Sequence, residues 1–498
     1  MRVFAIIAFL LSNTTFAQMN GDWIESGPLK LRVNADGQIA TFNNMAASEI
    51  NSGSNNHIFK FINMWISGYD TANKLYITSV NGFTNKSDYS PGPIDSLSFA
   101  GAEPSAWNFV WSVADDEIYS HRKNFRSASY QMPESIKNWP SNGSGKFNKY
   151  LAPFIDYDAN GKYNPESGDY PDIKGNKCSY FIVNDNYSEH KASGGAPLKL
   201  EIYGMAYSLN QLPNTVFVKY YLVNRTNKDY HDLKVSFHTG FQLGYDGDNY
   251  CGTLVTENTI FAYNGDLNDE NHFGNSRPLG SLMILSTNLT STLALQSDTN
   301  LISGMPATPF QHRLVMDGKW KSNIPLTYGA EGTSNNLPAN FIYPGLSDKA
   351  FSGQNWEESS TPGMRSMLAN LSYSDLKAKG YLDIDIAISG YEKSDELPYK
   401  FLATKAIEIK DLWVKSSAKT KLAIQEKYLL KNPIFVGETL NHFWFDFFEK
   451  ISVYTMQGKL LEAYNPRLKN QLIFENAGIY YLRFESDNQM FIKKILVY

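Results

Sequence analysis

The sequence predicts a mainly β protein: one or two sandwich-like domains, then a small immunoglobulin-like β-sandwich at the C-terminal end. Three observations carry this. Short apolar-aromatic runs of about four to eight residues recur between clusters of Gly, Asn, Asp and Pro, the strand-and-turn signature. Aromatic residues reach 14%, with 31 Tyr and 30 Phe, types that suit pleated, half-buried surfaces. Helical periodicity is scarce.

Taken in chain order, residues 1–17 read as a cleaved export signal. Arg2 is the basic start, Phe4 to Leu11 the apolar core, and Thr15 and Ala17 the small residues before a cut that leaves Gln18 first. That apolar run is too short to span a bilayer, and no later stretch is long enough. A β-rich body follows over 18–430, with a division placed near 150–200. Its strands include Lys74–Val80, Val216–Val223 and Leu282–Leu285. Two helices are expected. Ser112 to Arg122 has acids early (Asp115, Asp116, Glu117) and His121 and Arg122 late, as a helix dipole favours. Leu402 to Leu422 is the other, although Ile407 and Ile409 also alternate as in a strand. Asn51–Asn56, Ser141–Lys146 and Gly332–Pro338 are loops. Asn142-Gly-Ser-Gly-Lys146 lacks phosphate-loop spacing, and Phe147 follows the lysine. From Lys431 the chain turns into a compact run of strands: Ile451–Thr455, a Gln457-Gly458 turn, Lys459–Ala463, Gly478–Phe484 and Phe491–Tyr498.

This last segment, 431–498, resembles the type A C-terminal sorting domain of the type IX secretion system of Bacteroidota. Asn432-Pro433 opens it. Val453-Tyr-Thr-Met-Gln-Gly-Lys459, Ala477-Gly-Ile-Tyr-Tyr-Leu-Arg-Phe484 and Lys493-Lys-Ile-Leu-Val-Tyr498 follow in family order. The resemblance implies an address read by the secretion machinery, removed after export, with the cargo released or attached to surface glycolipid. The body resembles large uncharacterised secreted proteins of the same phylum. The shared stretches are Trp65–Asp70, Pro91–Asp95, Pro133–Pro140, Ala152–Gly161, Gly168–Gly175 and Tyr263–Asp266. That resemblance implies common architecture and no activity.

The best local site is the loop 156–169. Asp156, Asp158, Asn160 and Asn164 fall at positions 1, 3, 5 and 9 of a calcium-type loop. Gly161 sits at 6, and Lys162 at 7 offers its backbone carbonyl. Position 12 is Ser167 where that motif has Glu, so Glu166 or Asp169 must close the shell. The metal set is therefore Asp156, Asp158, Asn160, Lys162, Asn164 and Asp169, holding structural calcium. The competing reading is an Asp/Asn/Gly turn without metal. Asp246-Gly-Asp248-Asn249 and Asp266–Glu270 with His272 read better as acidic turns.

No catalytic motif is found. H-E-x-x-H, G-x-S-x-G and G-x-G-x-x-G are absent, and neither Cys178 nor Cys251 sits in a protease signature. The two cysteines either pair in an oxidising compartment or are separate buried thiols; spacing does not decide. The tryptophans at 107, 111, 139, 320, 356 and 444 either pack in cores, the favoured reading, or stack on sugars. Net charge is −5, which argues against nucleic acid. The function expected is a secreted or outer-surface protein that reaches its site through the periplasm, stabilised by calcium and engaged in adhesion or glycan binding. The rivals are a hydrolase of polysaccharide or protein and a structural or gliding-associated component.

Overall fold

The computed structural model describes residues 21–497, apart from 85, 159, 270, 298–299, 335–336, 360–361, 393–396, 428–438, 442–449, 465–470 and 487–488. The export signal, Asn432-Pro433, His442, Trp444 and Tyr498 lie outside the described residues.

The body is a sandwich of two antiparallel sheets. The smaller has five strands in the order Ser291–Leu295, Ser366–Leu376, Tyr230–Phe241, Phe59–Asp70, Leu75–Thr78. The larger has nine. Its main path runs Ser90–Pro91, Lys177–Asn184, Leu200–Ser208, Thr215–Asn224, Tyr381–Tyr391, Leu279–Ile284, Thr259–Asn264, Asn249–Leu254. Trp111–Ala114 also pairs with Lys177–Asn184. Strands from both sides of residues 150–200 thus share the same sheets.

The inner faces meet in one core. Ile62, Met64 and Phe237 of the smaller sheet pack with Ile202, Val218 and Ile384 of the larger. Trp65 is fully buried, and its Nε1–H donates to Val80 O at 2.8 Å. Truncating Phe237 to Ala here would cost about 3–5 kcal/mol.

The larger sheet is also covered on its outer face. There Tyr180, Tyr203, Tyr207 and Phe217 pack under Ile136, Trp139, Leu151 and Phe154, and under Ala406 and Ile409 of a C-terminal helix. All nine residues of Leu200–Ser208 are consequently buried, with no polar–apolar alternation.

Among the described residues four α-helices dress the sheets: α1 (Asp115–Asn124), α2 (Glu134–Lys137), α3 (Pro309–Met316) and α4 (Pro398–Lys427). α1 starts three residues later than the charge pattern predicts, because Trp111–Ala114 is captured as a strand by Lys177–Tyr180. Glu117 then caps the helix, accepting Ala114 N–H at 2.9 Å. In α4, Ile409 is buried and Ile407 is 70% exposed, so the apparent alternation comes from opposite helix faces.

The C-terminal segment contains a four-stranded antiparallel sheet, Leu460–Tyr464, Lys450–Thr455, Gly478–Ser486, Gln489–Val497. A separate pair joins Thr439–Asn441 to Gln471–Ile473. Gly458 adopts φ +81° at the predicted hairpin turn. Ile451, Val453, Leu482, Ile495 and Val497 are buried.

Candidate metal centre

The loop 156–169 is closed at its base by a short ladder. Ile155 pairs with Tyr170 and Phe154 with Pro171, so the two ends of the loop are held side by side. Gly161 takes φ +75° and makes the sharp turn expected at position 6. Carboxylate oxygens of Asp156, Asp158 and Asp169 lie within 4.8 Å of one another.

Each carboxylate is aimed by backbone donors. Asp156 accepts Asn160 N–H at 3.1 Å and Gly161 N–H at 2.7 Å. Asp169, fully buried, accepts Tyr157 N–H at 2.6 Å and Asn164 N–H at 2.8 Å. Asp158 is exposed and accepts Asn160 N–H at 3.2 Å and Asn160 Nδ2 at 2.8 Å. Burial pushes Asp169 up to about 6, opposed by those backbone donors and reinforced by Asp156 and Asp158. Burial raises Asp156 too, with Asp158 adding to it.

The sequence-predicted set is thus brought together in part. Asp169, not the exposed Glu166, joins Asp156 and Asp158. Asn160 Oδ1 is used by Lys162 N–H at 2.8 Å, and the Lys162 side chain points to solvent. Asn164 donates through Nδ2 to Ser167 Oγ at 3.1 Å, while its Oδ1 is buried without a hydrogen-bond partner among the described residues. An orphaned acceptor beside three converging carboxylates is a donor set that fits a hard divalent cation such as calcium. The same loop is held to α1, since His121 Nε2 lies 2.9 Å from Asp169 O.

Other sites fare differently. In the 246–249 turn, Asp246 Oδ1 and Asn249 Oδ1 are buried without partners among the described residues, and Asp248 meets Asn264 Nδ2 at 2.9 Å. Asp269 instead spends both oxygens on the backbone N–H groups of Tyr245, His272 and Phe273. Cys178 and Cys251 are both buried free thiols that pack in different cores, so they form no disulfide. Trp139, Trp320 and Trp356 are buried, as core packing requires.

Two surface cavities were not legible in the sequence. One, of about 210 Å³, is lined by Glu331, Glu358, Tyr343 and Arg365 among others. Its Glu358 is occupied structurally: Arg365 meets it at 2.8 and 3.0 Å, and Cys251 N–H donates to it at 2.6 Å. The other, of about 250 Å³, lies between α1 and the acidic loop, with Tyr119, Arg122 and Phe125 on one side and Tyr157, Gly168 and Tyr170 on the other.

No family model matches the chain, and no curated protein does. Among solved structures, a polysaccharide lyase aligns over 60% of this chain and 34% of its own, at 9% identity and a TM-score of 0.20. A family GH92 alpha-mannosidase from Bacteroides thetaiotaomicron aligns over 81% and 36%, at 12% identity and a TM-score of 0.25. The chain therefore spans about a third of the length of these structures. Likeness at this level assigns neither activity to it.

Proposed function

We propose that this is a secreted or outer-surface protein, stabilised by calcium in the 156–169 loop, that binds a glycan without cleaving it. The observation that carries the reading is the convergence of Asp156, Asp158 and Asp169 within 4.8 Å, with Asn164 Oδ1 buried and unpartnered beside them. Asp156, Asp158 and Asp169 would hold the ion, joined by Asn164. The ion would supply fixed positive charge where the fold has gathered negative charge, and no chemical step. Asp169 meanwhile keeps the loop ends together through its two backbone contacts.

A binding role is favoured over a hydrolytic one by the state of the carboxylates. A glycosidase needs one acid free to donate a proton and a second carboxylate to attack or activate water. Of the two glutamates lining the smaller cavity, Glu331 is exposed at the surface and Glu358 is engaged by Arg365 and Cys251 N–H. The acidic trio has its oxygens aimed at one another's centre and at backbone donors. Export through the type IX machinery by residues 431–498 completes the proposal, with the processed protein released or held on surface glycolipid.

Calorimetric titration of the purified chain with calcium tests the central claim. A dissociation constant of about 10⁻⁴ to 10⁻³ M is expected, as for extracellular modules. No heat of binding at about tenfold above that range would overturn it. A glycan array read for both retention and product release separates binding from cleavage; release of shortened sugar would favour the hydrolase.

A further inference from the structure

The cavity beside the acidic loop combines features that the fold alone does not require. Its aromatic walls are open to solvent: Tyr119 is 57% exposed and Tyr157 45%. An exposed tyrosine offers an apolar face and a polar tip, which is how a protein grips the C–H face of a sugar ring while hydrogen-bonding its hydroxyls. The floor is Gly168 at φ +105°, where a Cβ would come within 2.7 Å of Phe125 and 3.0 Å of Tyr157. Only glycine keeps that space open. At about 250 Å³ the cavity is smaller than the ~300–1,000 Å³ of drug-sized pockets, so it suits one ring of a chain.

The rim is cationic in a chain that is acidic overall. The Arg122 guanidinium lies 5.1 Å from the Tyr170 ring centre, and Lys123 Nζ lies 4.1 Å from that of Tyr119. Arg126 lies 5.0 Å from Phe125 and 5.8 Å from Tyr157. Among the described residues these three cations make no ion pair with a carboxylate. Arg122 and Lys123 also answer the helix dipole in the last turn of α1. Arg126, beyond the helix end, does not, and the dipole does not explain the exposed rings. Arginine's planar fork matches carboxylate or sulfate oxygens in a paired geometry.

We propose that the cleft between α1 and the 156–169 loop binds an acidic sugar, its ring on Tyr119 and Tyr157 and its anionic group on Arg122, and that calcium strengthens this binding. The inference rests on the calcium reading above. Tyr157 stands between two of the proposed ligands, Asp156 and Asp158, and its N–H is held by a third, Asp169. An ion in the loop therefore fixes one wall of the cleft. It also reduces the local charge of the three carboxylates from −3 to −1, which removes repulsion against an anionic ligand.

The test is calorimetry on the full chain with three probes: a glucuronate-containing tetrasaccharide, its methyl ester, and an otherwise uncharged tetrasaccharide bearing one sulfate. With calcium loaded, the free acid or the sulfated sugar should bind at least about tenfold more tightly than the ester, and which of them does identifies the anionic group. Arg122→Gln and Tyr157→Ala should each weaken that binding about tenfold or more while melting and taking up calcium like wild type. Chelator should weaken it about fivefold or more, the usual lower range of coupling between sites. Equal affinity for all three sugars, or retention by Arg122→Gln, would overturn the site while leaving the calcium reading intact. Equal affinity with calcium and chelator would overturn the coupling. No calcium uptake at all would overturn the reading beneath it.

Discussion

Replacing Asp158 by Asn should change stability in opposite directions with and without calcium. In the ion-free loop Asp169 has a pKa near 6 against an ordinary 3.8, raised first by burial and further by the charges of Asp156 and Asp158. A folded pKa above the unfolded one means that ionising Asp169 opposes folding. The penalty is absent below about pH 4, grows as pH rises, and is complete above about 6. The full shift corresponds to about 3 kcal/mol, of which burial is the larger cause. Asp158 is exposed, so solvent screens its share, and Asp158→Asn should return only about 0.5–1 kcal/mol in chelator at pH 7.5. Calcium reverses the sign. At about 10 mM ion and a dissociation constant of 10⁻⁴ to 10⁻³ M, the wild-type chain gains about 1.4–2.7 kcal/mol. For a body of this size that raises Tm by about 2–3 °C. The variant keeps an amide oxygen at that position but is short of one charge, and should lose more than half of that gain. Differential scanning calorimetry in both conditions measures the two signs together. A wild-type Tm indifferent to calcium, or a variant that keeps the whole shift, would refute the reasoning.

Three further outcomes are expected. Deleting residues 431–498 should strand the chain in the periplasm, seen by fractionation; normal export would remove the sorting role. His238 is fully buried against Phe61 and Trp65, neither ring nitrogen has a hydrogen-bond partner among the described residues, and burial lowers its pKa to about 3. Stability should therefore fall as pH drops below about 6.5, by about 2–3 kcal/mol at pH 4.5, and His238→Gln should flatten that limb of an acid-unfolding curve. Cys178 and Cys251 should be silent to a thiol reagent in the native chain and both react after unfolding without reductant; zero thiols would mean a disulfide.

The strands were readable where one property dominated. Val216–Val223 is apolar almost throughout, and it lies within a strand buried between two layers. Periodicity failed for the same reason in Leu200–Ser208, where both faces are covered and nothing alternates. The start of α1 was misplaced because a distant strand, Lys177–Asn184, claims residues whose charge pattern suits a helix. In the acidic loop, spacing singled out Asp156 and Asp158, and the set expected from the sequence included Asp169; the ladder that folds Tyr170 back onto Ile155 is what brings Asp169 to them. The cleft was invisible because its walls come from residues 119–125 and 157–170, which only the packing of α1 on the loop, through His121, brings together.

The ends of the nine-stranded sheet carry a consequence for behaviour in crowded surroundings. An open sheet this wide invites a second chain to dock along its unpaired backbone. Here one end tapers into Ser90–Pro91, two residues long and deprived of an N–H by the proline, with Trp111–Ala114 laid alongside on the same neighbour. At the opposite end, Asn249–Leu254 is shielded in part by side contacts: Leu254 is buried with Leu402 and Tyr399 from α4. The molecule thus guards both margins of its largest sheet, and at high concentration it should remain dispersed where an uncapped sheet would seed fibres.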